Sequence, residues 1–167
     1  MGEEVPEPAP PVGRTRFFLE ALLGSGFFTG YFPIAPATVT SLLVLLPAFF
    51  LARVPLWHAL TAVVIFFVGV PIATDLERVW GNDPGRVTID EVVGTLVTFL
   101  LNPVSLWGLG AGFLLWRFFD IVKLPFIDKS QQLPGGWGIM IDDVLAGVCA
   151  NLVLRIGLVV FPVLHFH

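Results

Sequence analysis

The chain has 167 residues, of which 56% are hydrophobic and 13% charged, with a net charge of −4 and a mean hydropathy of +0.86. A soluble domain carries about 25% charged residues, so a chain this apolar needs lipid as a second solvent, and its acidic balance lacks the basic stripe a nucleic-acid partner requires. One cysteine, Cys149, excludes an intramolecular disulfide framework and a Cys-rich zinc site, and His58, His165 and His167 lack metal-ligand spacing.

Residues 1–13 read as a tail: Glu and Pro dominate it, and such a stretch cannot bury a core. Glu3, Glu4 and Glu7 stand where a signal peptide needs positive charge. Residues 14–167 read as a single membrane-embedded domain. Phe17 to Gly30 is a Gly-broken apolar stretch, expected as a short interfacial or half-buried helix. Thr38 to Leu51 follows the Pro36 break, with Thr38 a plausible N-cap. Arg53 and Pro55 mark a tight turn, and Leu56 to Thr74 approaches the ~20 residues that span a bilayer. A polar loop is expected from Asp75 to Asp90. Val92 to Phe119 is apolar and is broken by the turn signal Asn102-Pro103. Val144 to Leu164 is again of spanning length.

As one helix, the stretch from Glu91 to Asp120 would run about 43 Å at the standard rise. A hairpin turning at Asn102-Pro103 instead returns both charged ends to one face, and is favoured. The fold expected is all-α: a polytopic membrane helical bundle of about 4–6 hydrophobic helices. In this layout Arg14, Arg16, Arg78, Arg86, Arg117, Lys123 and Lys129 fall on one side, seven of the nine Lys and Arg residues. The positive-inside rule makes that side cytoplasmic. It also carries Asp75, Glu77, Asp83, Asp90, Glu91, Asp120, Asp128, Asp142 and Asp143, leaving Glu20 elsewhere among the acids after the tail. Carboxylates mixed with Arg and Lys at a membrane surface suit a metal ion and a phosphate headgroup.

Glu91, Thr95, Thr98 and Asn102 share one helix face, as do Asp143, Gly147, Asn151 and Arg155. For Thr95, Thr98, Asn151 and Gly147 the preferred reading is interhelical hydrogen bonding and close packing, as for the Gly108-xxx-Gly112 pattern. Arg155, about 18 Å along its helix from Asp143, is either a buried ion-pair partner or an outward snorkelling residue. Thr88-x-x-Glu91 is a capping-box pattern, and Asp142-Asp143 reads as the start of a helix, where the dipole favours anions. A cap needs one carboxylate, however, and two adjacent-acid pairs with Asp120 on one face point beyond capping. Arg117, Asp120 and Lys123 would share a face if their helix continued; a snorkelling flank with a local ion pair is the alternative. Asp83-Pro84-Gly85 is a turn by default.

Three segments resemble the phosphatidylglycerophosphatase A family of membrane lipid phosphatases. They are Asp83-Pro84-Gly85-Arg86-Val87-Thr88-Ile89-Asp90-Glu91-Val92-Val93-Gly94, Arg117-Phe118-Phe119-Asp120-Ile121-Val122-Lys123, and Gly135-Gly136-Trp137-Gly138-Ile139-Met140-Ile141-Asp142-Asp143-Val144-Leu145-Ala146-Gly147. The similarity runs from about Gly30 to Arg155. It implies magnesium-dependent hydrolysis of phosphatidylglycerophosphate to phosphatidylglycerol and phosphate at the inner face of the bacterial cytoplasmic membrane. By position it implies Asp90, Glu91, Asp120 and Asp143 as catalytic, Arg117, Lys123 and Thr38 on the substrate phosphate, and Asp83, Asp90, Glu91, Asp142 and Asp143 as Mg²⁺ ligands; Glu77 aligns loosely with a further family acid. Two departures stand out: Pro36-Ala37-Thr38 and Thr40-Ser41 replace the family's Pro-Gly-Thr and Gly-Ser, and Leu124 separates Lys123 from Pro125. Neither removes a charge.

Water attack assisted by a carboxylate base, or a covalent aspartyl-phosphate, would both be open to such a site. Cys149 lies in an apolar helix without a phosphate loop, which opposes a cysteine phosphatase. No Gly-rich nucleotide motif appears, so no nucleotide partner is expected; the expected partners are the lipid substrate and membrane lipids. Two other classes are an ion or proton transporter, which predicts acids through the membrane depth, and a non-catalytic scaffold.

Overall fold

The computed structural model describes residues 13–82 and 84–164. The tail expected over residues 1–13, apart from Gly13, therefore lies outside the described residues, as do Asp83, His165 and His167. Among the described residues the chain forms seven α-helices and no strand: α1 (Arg14–Gly24), α2 (Pro36–Leu51), α3 (Pro55–Trp80), α4 (Ile89–Phe99), α5 (Leu106–Ile121), α6 (Pro125–Ser130) and α7 (Gly136–Val160). Short 3₁₀ turns occupy Thr29–Tyr31 and Pro162–Leu164. The all-α expectation holds.

Proline sets three of the helix starts. Pro36, Pro55 and Pro125 each stand in the first turn, where the missing N–H costs no helical hydrogen bond. This overturns Thr38 as an N-cap. Ala35 takes the cap position at φ 50°, and Thr38 is already inside the first turn of α2. The second correction concerns the polar loop expected to begin at Asp75. Helix α3 runs on to Trp80, because α1 covers that turn. Leu76 is fully buried and packs where Gly24 leaves no room for a side chain. Phe17 and Tyr31 stack edge-on against Trp80, and Arg16 bonds Asp75 at 2.8 Å. Gly81, at φ 94°, then ends the helix in backbone that favours glycine.

The stretch from Val92 to Phe119 is a hairpin, as its Asn-Pro break predicts. Helix α4 stops at Phe99, Leu101 turns through φ 60°, and α5 begins at Leu106 behind the N-cap Ser105, whose hydroxyl accepts from the Gly108 amide. The turn is not left with bare carbonyls in an apolar setting. The Asn151 side-chain amide, from α7, donates to the carbonyls of Val97, Thr98 and Leu100 at 2.8–3.0 Å. Asn102 reaches back to the Asn151 carbonyl, and Arg155 donates to Asn102 Oδ1 at 3.3 Å. Arg155, itself exposed, thus binds the turn and makes no ion pair among the described residues.

Helix α7 is the centre of the bundle, packed on α3, α4, α5 and α6. Its seam with α4 is tight. A Cβ added at Gly147 would lie 2.6 Å from the Gly94 carbonyl oxygen, and one added at Gly94 would lie 2.6 Å from Trp116 Nε1. Gly112 likewise accommodates the Phe99 ring, so the small-residue pattern is packing. Helices α3 and α7, with 26 and 25 residues, are long and apolar enough to cross a membrane. Their outward faces stay apolar, with Val64, Phe67, Ile156 and Val159 more than half exposed, a surface that water tolerates poorly.

Gly147→Val forces the two backbones apart, and overpacking of this kind costs about 1–3 kcal/mol. We expect its thermal midpoint in detergent to fall by several degrees, whereas Gly110→Ala, with open space around it, keeps or raises the midpoint. Equal midpoints for Gly147→Val and wild type would show that the seam is loose.

Candidate active site

The charged ends of α3, α4, α5 and α7 meet at one end of the bundle. Helix α4 begins at Ile89, so Asp90 and Glu91 occupy its first turn, behind the N-cap Thr88. The capping box is not formed: Thr88 makes no side-chain cap bond, and its hydroxyl and Glu91 Oε2 are buried without a hydrogen-bond partner. Asp142 and Asp143 correct the second capping reading. Helix α7 starts at Gly136, locked by the Gly136 amide donating to Thr74 Oγ1 at 2.8 Å. The two aspartates therefore lie well inside the helix, beyond reach of a cap and of most of the dipole's benefit.

Gly94 and Gly147 each follow an acid by one turn, Asp90 and Asp143 respectively. Their close crossing carries those acids together. Oxygens of Asp90, Glu91 and Asp143 lie within 4.8 Å of one another. Glu91 and Asp143 are buried, 9% and 4% exposed, and Asp90 is half-buried. Three oxygens, Asp90 Oδ1, Glu91 Oε2 and Asp143 Oδ2, are enclosed and accept no hydrogen bond.

Two basic residues are already committed beside this trio. Arg117 Nη1 lies 2.7 Å from Asp120 Oδ2, with both side chains only 16% exposed. Lys123 Nζ donates to Asp142 Oδ2 at 2.6 Å. Helix α5 ends at Ile121, so Lys123 does not continue the Arg117–Asp120 face; it crosses to α7 instead. Burial disfavours the Lys123 ammonium, but its hydrogen bond to Asp142 and the charges of Asp142, Asp120 and Asp143 outweigh this and hold its pKa above the ordinary value. Asp120 and Asp142 also stand close enough to act electrostatically on the trio.

Three clustered carboxylates repel one another unless a cation or protons intervene, and the nearby Arg and Lys pair with other acids. The donor set is all oxygen, which suits a hard divalent cation, and opposed oxygens around Mg²⁺ are about 4 Å apart. A buried acidic trio with unpartnered oxygens thus fits a metal ion.

Of the residues singled out by sequence, the structure gathers Asp90, Glu91, Asp120, Asp142, Asp143, Arg117 and Lys123. Thr38, half-buried at the start of α2, makes no side-chain hydrogen bond to them among the described residues, and Asp83 lies outside those residues. Glu20 was read as lying apart from the charged face. It bonds Arg16 at 2.7 Å, and Arg16 bridges it to Asp75 and so to Arg78, at the same end of the bundle. Sequence reasoning missed Gln131, whose Nε2 donates to Asp142 Oδ2 at 2.9 Å. Nothing in its spacing separates it from Gln132.

Removing one trio carboxylate should cost metal affinity directly. We expect Asp143→Asn and Glu91→Gln each to weaken Mn²⁺ binding by roughly tenfold or more, measured by titration of purified protein, while Glu20→Gln leaves it unchanged. Equal binding by all four proteins would place the ion elsewhere.

Residues 22–158 match the family Phosphatidylglycerophosphatase A. A Bacteroides thetaiotaomicron protein provisionally named phosphatidylinositol-3-phosphatase is 40% identical over 149 residues, 84% of this chain and 94% of the relative. Phosphatidylglycerophosphatase A of Escherichia coli is 33% identical, with 80% of each chain covered. Its Haemophilus influenzae counterpart is 35% identical, covering 80% of this chain and 85% of its own. No solved structure matches the chain. The chain belongs to the phosphatidylglycerophosphatase A family and is a phosphatase.

Proposed function

We propose that the chain removes the terminal phosphate of phosphatidylglycerophosphate in a Mg²⁺-dependent reaction, as a step of phospholipid synthesis. The observation that carries this is the buried trio Asp90, Glu91 and Asp143, formed from two of the segments that resemble the family. These three residues hold the ion, with Asp142 and Asp83 as further ligands; Asp83 and Thr38 enter on the resemblance alone. When bound, the ion supplies positive charge against the phosphate oxygens and makes water more acidic. Arg117 and Lys123 turn from Asp120 and Asp142 toward the phosphate oxygens, with which they form charge-assisted hydrogen bonds. One of Asp90, Glu91, Asp120 and Asp143 acts on phosphorus or on water. Either a water oxygen replaces the headgroup oxygen on phosphorus while the carboxylate takes the proton, or the carboxylate forms an aspartyl-phosphate that water then hydrolyses. The released headgroup oxygen regains a proton in both routes.

Residues 14–167 act as one membrane-embedded unit, with residues 1–13 outside it. Helices α2, α3, α4, α5 and α7 form the polytopic bundle in the cytoplasmic membrane of a bacterium, with the acidic end at the cytoplasmic face. The exposed apolar faces of α3 and α7 support a membrane setting, and the excess of Lys and Arg at the acidic end supports the cytoplasmic side for that end. The shorter helices tilt or cross only in part. Acyl chains stay in lipid while the headgroup enters the site. Concentration of acids at one end opposes a transport path through the bundle.

A second substrate reading rests on the 40% identity to the relative named for phosphatidylinositol 3-phosphate. Both lipids present a phosphate monoester on a hydroxylated headgroup. Phosphate release from each, in detergent with and without Mg²⁺, separates them. We expect faster release from phosphatidylglycerophosphate, at least a hundredfold slower without metal, and comparably slow in Asp143→Asn. Preference for the inositol lipid would transfer the assignment to it. No release from either lipid with any divalent metal would overturn the phosphatase mechanism.

A further inference from the structure

A cavity of about 580 Å³ lies not on the acidic trio but beside it. Glu77 from α3 and Asn82 form one side, and Gln131, Gln132 and the Pro134–Gly135 turn form the other. Its floor is the start of α7, at Gly138 and Ile139. Asp142 lies one turn further along the same face of that helix. Gln131 joins the two directly, since it lines the cavity and donates to Asp142. The wall is fixed by backbone contact: a Cβ at Gly138 would lie 2.7 Å from the carbonyl oxygens of Gln131 and Leu133.

The chemistry of the lining selects an occupant. No Lys or Arg lines the cavity, so it is a poor place for a phosphate. Three carboxamides offer donors and acceptors, and Glu77, half-buried, makes no side-chain hydrogen bond or ion pair among the described residues. A carboxylate so placed is an acceptor for hydroxyl donors. Its neighbour in sequence, Arg78, is held by Asp75. This is the lining expected for a polyol.

We infer that this cavity receives the hydroxyl-bearing part of the lipid headgroup, with Glu77 accepting a hydrogen bond from a headgroup hydroxyl. The inference rests on the phosphatase reading above and deepens it. The phosphate monoester lies at the trio, and the polyol that carries it extends past Asp142 along the face of α7. Headgroup selectivity then resides in Glu77 and the amides facing it, apart from the residues that act on phosphorus.

The test compares phosphatidylglycerophosphate with an analogue whose headgroup glycerol is replaced by 1,3-propanediol, which lacks the free hydroxyl. Full-length protein in detergent with Mg²⁺ is used throughout. A hydrogen bond to a charged group corresponds to roughly tenfold or more in kcat/KM, so wild type should prefer the hydroxylated lipid by about that factor. Glu77→Gln should bring the preference toward one while its kcat/KM on the analogue stays within about twofold of wild type. Should Glu77→Gln fail to fold, Gln132→Ala provides the same ratio from the opposite wall. A wild-type preference near one, or an equal loss on both lipids in the variant, overturns the inference and leaves the phosphatase reading intact. Absence of phosphate release from both lipids by wild type instead overturns the phosphatase reading and the inference with it.

Discussion

The approach of α4 to α7 at Gly94 and Gly147 governs the rest of the structure. Backbones come this close only where neither residue carries a side chain, and a Cβ at Gly147 would meet the Gly94 carbonyl oxygen at 2.6 Å. Without water or a hydrophobic drive between helices in lipid, such close packing and interhelical hydrogen bonds are what hold a bundle together. One turn above the crossing the same geometry makes a liability, since it brings three carboxylates together. Burying them apart from counter-charges is costly. The fold accepts that cost at the end where the trio, Asp120 and Asp142 gather beside Arg117 and Lys123.

The surrounding polar groups are divided by task. Arg117 with Asp120, and Lys123 with Asp142, keep two cations beside the trio without neutralising it. The network of Arg16, Glu20, Asp75 and Arg78 ties α1 to α3 and closes that end of the bundle on another side. On the outside, α3 and α7 present apolar residues, and the carboxylates of the described residues gather at one end and in the seam.

Much of this was legible in the sequence, and the exceptions have physical causes. The Asn102-Pro103 break gave away the hairpin because backbone chemistry there is local. The stripes Glu91–Thr95–Thr98 and Asp143–Gly147–Asn151–Arg155 were readable as faces because helical periodicity is strict, whereas Asn102, expected on the first of them, lies in the turn beyond the end of α4 at Phe99. The polar stretch from Asp75 to Trp80 was misread as loop because Asp75 is satisfied by Arg16, 59 residues away, and no local pattern reveals a partner that distant. Asp142 and Asp143 were misplaced at a helix start because Gly135, Gly136 and Gly138 look like a linker. In the bundle the last two are close contacts to α3 and to the loop over Gln131–Leu133. Thr38 was read as a cap from residue type alone, whereas the backbone at Ala35 had already turned. Of the site itself, the charged members were visible, and the neutral member Gln131 was not.

The Asn151 amide has a consequence for how forces travel in the bundle. It holds the carbonyls at the end of α4, and the glycine crossing pins the middle of the same seam. Helix α4 is therefore clamped to α7 below the acids like a short arm on a fulcrum. Repulsion among the carboxylates thus bears on the first turn of α4, Ile89 to Glu91, where Ile89 is buried in the core. That end of the helix is tethered by the Thr88 amide to the Gly24 carbonyl, so the charge state of the trio is felt as tension on α1 and the loop that follows it.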